Sequence, residues 1–173
     1  MRALAALLPL LLAAQAPVPG TVSVEPATGD VSGATAQIFA EAVQGALTDV
    51  QFLPIRPPGQ GRYTARLRVS REARGQVASS EPRWDSSGGL GSWGAALSVR
   101  LPSRKPQMRM LYATRLDIAI VPRGGGQPVW TGKALTVQVE ATRNDSPAAL
   151  AAKLARGVMG RFPAQSDEVA AIP

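Results

Sequence analysis

Residues 63–70 read Tyr-Thr-Ala-Arg-Leu-Arg-Val-Ser, a strict alternation of apolar and polar positions. Successive side chains of a β-strand leave on opposite faces. Tyr63, Ala65, Leu67 and Val69 therefore point to one side, and Arg62, Thr64, Arg66, Arg68 and Ser70 to the other. Such a segment fits a strand that has one face on a core and an arginine-rich face turned away from it. The same period recurs at 93–101, with Trp93, Ala95, Leu97, Val99 and Leu101 on the core side and Arg100 on the other. Two longer strands are expected at 110–121 and 129–140, joined by the turn Pro122-Arg123-Gly124-Gly125-Gly126. In the first, Tyr112, Leu116, Ile118 and Ile120 share a face; in the second, Leu135, Val137 and Val139 do.

Helical spacing appears twice. Ile38, Phe39, Ala42, Val43, Ala46 and Leu47 mark a helix over about 34–48, capped by Asp30 or Ser32. Ser146 followed by Pro147 is an N-cap followed by a proline at the first helical position, where its missing N–H costs nothing. Leu150, Ala151, Leu154 and Val158 form the stripe of that second helix, and Phe162-Pro163 stops it. Short extended pieces are expected at 21–24 and 51–55, and a Gly/Ser-rich loop carrying Trp84 at 75–92. Parallel neighbours need a crossover between them, and this chain is rich in hairpin-linked strands and poor in helices. The expected class is α+β: an antiparallel sheet of about five strands with two helices packed on one face. Leu67, Leu97, Ile118, Leu135, Leu150 and Leu154 should meet in its core.

The N-terminus reads as an export signal. Met1 and Arg2 precede the apolar run 3–14, and Ala14-Gln15-Ala16 has the small-x-small form that signal peptidase accepts. The expected organisation is a signal peptide at 1–16, with cleavage after Ala14 as the fallback, a single α+β domain at 17–163 and a flexible tail at 164–173. The protein would be periplasmic or secreted. No second apolar run approaches membrane-spanning length. Cysteine is absent, so neither a lipid anchor after the signal nor disulfides are expected.

Histidine is also absent, which removes Ser-His-Asp and Cys-His nucleophilic arrangements and most transition-metal sites. Paired carboxylates are the remaining enzymatic route, with Glu72, Glu81, Asp85, Asp117, Glu140 and Asp145 as candidates, yet no spacing marks a pair. Gly124–Gly126 joins two strands, whereas a dinucleotide fingerprint opens a helix. No metal and no cofactor is expected, and no nucleic-acid motif accompanies the positive charge.

That charge is the strongest pointer to function. The chain has 19 basic and 12 acidic residues, and 13 of the basic ones fall between Pro54 and Arg123 against four acidic. A genome rich in G and C writes arginine for lysine but does not cluster charge in one segment. Arg62, Arg66, Arg68 and Arg100 are the expected contact residues, gathered on one sheet face with no acidic residue among them.

The segment Val129-Trp130-Thr131-Gly132-Lys133-Ala134, a final helix closing on Phe162-Pro163, and the Gly-rich stretch with Trp84 and Trp93 resemble the bacterial envelope family called domain of unknown function 4136. The chain departs from that family at its missing cysteine and at Thr64-Ala65-Arg66, where members carry Ala-Asp. The resemblance implies an envelope location and structural roles for Trp130, Gly132, Phe162 and Pro163; it implies no activity. The expected function is a non-catalytic exported envelope protein that binds an anionic lipid, a lipopolysaccharide or an acidic protein surface. The alternatives are a structural or assembly protein using a sheet edge and a carboxylate-dependent hydrolase.

Overall fold

The computed structural model describes residues 17–56, 60–80, 107–166 and 168–173. Expectations for the signal segment, Trp84 and the strand at 93–101, including Leu97 and Arg100, lie outside the described residues. The chain runs β1 (Thr21–Val24), β2 (Thr28–Gly29), α1 (Gly33–Asp49), β3 (Leu53–Pro54), β4 (Tyr63–Ser79), β5 (Gln107–Pro122), β6 (Trp130–Val139), a 3-10 turn (Arg143–Asp145), α2 (Pro147–Met159) and β7 (Ala170–Ala171). It is an α+β fold.

Among the described residues the sheet has seven strands in the order β3-β1-β4-β5-β6-β7, with β2 pairing β4. Its centre, β4-β5-β6, is antiparallel as the alternation implies. Its flanks are parallel: β1 pairs β3 and β4, and β6 pairs β7. The expected five-stranded antiparallel sheet is thus corrected to a mixed sheet of seven. The two helices are the reason. Each serves as a crossover, α1 between β1 and β3 and α2 between β6 and β7, and a crossover returns the chain in the same direction.

Ser32 caps α1, accepting from the Thr35 N–H at 3.4 Å, while Asp30 Oδ2 accepts from the Arg71 N–H on β4. Ser146 caps α2 in the same way, and Pro147 opens that helix. The helices pack against each other and join one core. Phe39, Val43 and Leu47 of α1 and Leu150, Leu154 and Val158 of α2 meet Leu67, Val69, Leu116, Ile118 and Ile120 of the sheet.

Three local expectations are corrected. The loop expected from Gly75 onward is corrected over its first residues, because β4 continues to Ser79; Gly75, at φ 137°, absorbs a bulge where the register shifts between Ala73 and Gly75. Leu135 does not join the core: it is half-buried on the far face with Val137, which is 42% exposed. The inward residues of β6 are instead Trp130, Gly132 and Ala134, small side chains below the tryptophan that let α2 approach. Finally, residues 164–173 are not a free tail. They place β7 along β6, with the Ile172 N–H donating to the Leu135 carbonyl at 2.8 Å.

Candidate anion-binding face

The helices cover one side of the sheet. The other side is built from the opposite parity of the central strands. On β4 it carries Thr64, Arg66, Arg68 and Ser70; on β5, Ala119, Asp117 and Arg115; on β6, Thr131, Lys133 and Leu135. Register sets these into rows. Arg66 lies beside Ala119 and Ala119 beside Thr131; Arg68 lies beside Asp117 and Asp117 beside Lys133; Ser70 lies beside Arg115 and Arg115 beside Leu135.

Arg66 and Arg68 are exposed on this side, and Arg62 is exposed just before β4 begins. Arg62 sits at the entry to β4, where its carbonyl accepts from the Arg123 N–H and its guanidinium lies 5.3 Å from the Tyr63 ring centroid. Arg66 and Arg68 stand in the middle of the face. The fourth expected contact, Arg100, lies outside the described residues.

The expectation that no carboxylate stands among these arginines is overturned. Asp117 is the direct cross-strand neighbour of Arg68 and holds Arg115 Nε at 2.8 Å. Glu25, following β1, reaches Arg66 Nε at 3.9 Å, and both of those side chains are more than half exposed. An exposed pair at that distance contributes little to stability. Opposite charge on neighbouring strands relieves the repulsion that a purely cationic face would suffer. Lys133 and Arg115 are the additions that arginine alternation in β4 could not reveal. They follow from the parity of β5 and β6 once Ile118 and Gly132 are known to face the helices.

These rows leave a shallow depression over β5. Arg66 and Arg68 form one wall, Lys133 and Thr131 the other, and Ala119 and Asp117 the floor, with Thr28 beside Arg68 on the far edge of β4. Among the described residues no group of three or more acidic, histidine or cysteine side chains is placed to hold a metal.

Of the residues that carry the family resemblance, Trp130 lies deepest, with Phe162 and Gly132 half-buried. Trp130 is fully buried, donates from Nε1 to the Ala164 carbonyl at 3.1 Å, and meets Phe162 edge-to-face at 5.6 Å. Phe162 also packs on Phe52, and Phe52 on Tyr63, giving an aromatic run beneath the sheet end. Pro163 follows in cis and is exposed.

A second polar cluster marks where the core ends. Arg71, on the helix side of β4, donates to both oxygens of Asp145 at 2.8 and 3.0 Å and to Thr114 Oγ1 at 3.1 Å. Its guanidinium stacks 4.2 Å from the Tyr112 ring centroid. Asp145 Oδ2 also accepts from the Ala141 N–H. Burial pushes the Asp145 carboxyl above its ordinary range, against the opposing pull of Arg71. Asp145 was one of six candidate carboxylates in the sequence. Its partners make it a clamp between the sheet and the start of α2.

No family model matches the chain, and no curated protein matches it. Among solved structures, a PelC point-variant dodecamer from Paraburkholderia phytofirmans is similar at 15% identity, over 84% of this chain and 87% of that one, with a TM-score of 0.38, a likeness too distant to bear on function.

Proposed function

We propose that this is a non-catalytic, exported cell-envelope protein that docks on an anionic envelope component through the sheet face away from its helices. The observation that supports the reading is the exposed pair Arg66 and Arg68, with Lys133 across β5, on a face that no described helix covers, and Arg62 exposed at the entry to β4. Guanidinium groups suit phosphate and carboxylate because their forked N–H groups donate in parallel. Among the described residues no helix is long and apolar enough to cross a membrane. Export rests on the N-terminal charge, apolar run and Ala14-Gln15-Ala16; mass spectrometry of natively expressed protein should find a terminus near Pro17 or Gln15.

The test of docking is co-sedimentation with phosphatidylglycerol and with phosphatidylcholine vesicles across a salt series. Wild type should bind the anionic vesicles and release as salt rises, since exposed charges are screened over ~8 Å at physiological ionic strength. The Arg62/Arg66/Arg68→Ser variant should lose that binding. Equal binding to both vesicle types, or a triple variant that binds like wild type, overturns the reading.

A second reading, assembly through a sheet edge, draws on β4. Beyond Val69, its outer edge pairs with no other described strand. Such an edge invites strand addition, although the Gly75 bulge interrupts it. Self-association insensitive to salt would favour that reading over the basic face.

A further inference from the structure

We infer that the depression over β5 is a subsite for a single phosphate group, of the kind a phospholipid headgroup presents. The inference rests on the docking reading and makes it specific.

The site is made by unequal side-chain lengths on three adjacent strands. Neighbouring strands lie about 4.8 Å apart, so β4 and β6 flank β5 at about 9.6 Å from one another. Long cationic side chains rise from both outer strands, Arg66 and Arg68 on one and Lys133 on the other. Between them β5 offers only the methyl of Ala119 and the short Asp117. A trough results, walled by cations on two sides and floored by a small residue.

Its two halves differ. At the Asp117 end the floor is a carboxylate, already paired with Arg115. An anion is repelled there. At the Ala119 end the floor is neutral, the Thr131 hydroxyl stands in the same row as Arg66, and Glu25, 3.9 Å from Arg66 Nε, follows β1 on the side of β4 away from β5. An anion therefore seats over Ala119, between Arg66 and Thr131, with Arg68 and Lys133 reaching from the next row.

The donors select the ligand class. Arg66 and Arg68 are two residues apart, roughly 6.7 Å along the strand, and Lys133 and Thr131 approach from the other wall. The non-bridging oxygens of a phosphate are arranged tetrahedrally and can accept from several directions at once. A carboxylate has two oxygens in one plane and satisfies one arginine fork well, but not both walls. A phosphate group, as monoester or diester, is the better fit.

The test separates a built site from diffuse charge. Ala119→Leu fills the floor and changes no charge; Thr131→Val removes a hydroxyl at nearly constant shape. Each should weaken binding to phosphatidylglycerol vesicles by about tenfold, the equivalent of losing one charge-assisted hydrogen bond. Thermal melts confirm that each variant is folded, and Thr131→Val stands as the readout should Ala119→Leu fold poorly. Glycerol phosphate should displace the vesicles and shift the amide resonances of residues 117–119 and 131–133, whereas acetate at equal ionic strength should do neither. Should glycerol phosphate shift those resonances while vesicles fail to sediment the protein, the phosphate source is soluble and the headgroup assignment falls. If both variants bind vesicles like wild type while Arg62/Arg66/Arg68→Ser does not, the subsite is refuted and docking by charge survives. If the triple variant also binds like wild type, both fail together.

Discussion

A Cβ placed on Gly132 would stand 2.7 Å from Val158 Cγ1, closer than packed carbon atoms come. The same Cβ would meet the Trp130 ring at 2.5 Å. Gly132 thus lets α2 lie against β6 with the tryptophan tucked beside it. Gly132→Ala should destabilise the fold by the ~1–3 kcal/mol typical of overpacking. Adding Val158→Ala should recover part of that loss, because it removes the helix-side contact and leaves only the crowding against Trp130. Urea denaturation of the two single variants and the double measures the coupling; strictly additive losses would contradict the contact.

Among the described residues Trp130 is the largest fully buried side chain, and its indole N–H has a partner in Ala164. Trp130→Ala should cost ~3–5 kcal/mol in an equilibrium unfolding experiment. Trp130→Phe keeps an aromatic ring beside Phe162 but leaves the Ala164 carbonyl without its donor, and should cost less. An unchanged melting temperature for Trp130→Ala would place the indole elsewhere.

Arg71 and Asp145 join β4 to the turn before α2. Asp145→Ala leaves the Arg71 guanidinium without its carboxylate and should cost on the order of 3–5 kcal/mol, as breaking a buried pair does. The pH dependence has a definite sign. Because burial raises the Asp145 pKa above 3.8 in the folded state, the folded protein binds this proton more tightly than the unfolded chain. Stability from that group is fully present below the unfolded value and falls as pH rises through the folded one. Asp145→Asn keeps an oxygen acceptor and removes the titration. The stability of wild type relative to Asp145→Asn should therefore decrease as pH climbs from about 3, then level off. A relative stability that rises over that range would reverse the assignment.

Asp117 tempers the basic face. Asp117→Asn removes its charge while Arg66, Arg68 and Lys133 remain, so affinity for phosphatidylglycerol vesicles should rise and their release should need more salt. Stability should change little, since the Arg115–Asp117 pair is about one-third exposed at both ends. Weaker vesicle binding by this variant would assign Asp117 a role in holding Arg115 toward the ligand.

Much of this arrangement was legible along the chain. Alternation in Tyr63–Ser70 marks both the core face of β4 and the exposed Arg66 and Arg68, because a strand's two sides are set by residue parity alone. Ser146-Pro147 and the Leu150–Val158 stripe mark α2 through capping and helical period, which are equally local. The basic face could be read only in part. Lys133 and Asp117 sit beside each other by register, and register depends on where the 122–126 turn brings β5 and β6 together.

What the sequence by itself determined, then, is the inside and outside of β4, the two helices and their caps, and the hairpin at the centre of the sheet. Tertiary structure decided the rest. On β6 beyond Trp130, Leu135, Val137 and Val139 outweigh Gly132 and Ala134 in apolar area, so hydrophobicity over that stretch favours the face that ends up away from the helices. The inward face is the one that α2 can approach, and Gly132 and Ala134 win because close packing rewards fit over the size of any one side chain. The parallel pairing of β1 with β3 and of β6 with β7 arises only once α1 and α2 cross the sheet. Asp117 enters the arginine face only once strands distant in sequence align, since no local period in either strand encodes its neighbour.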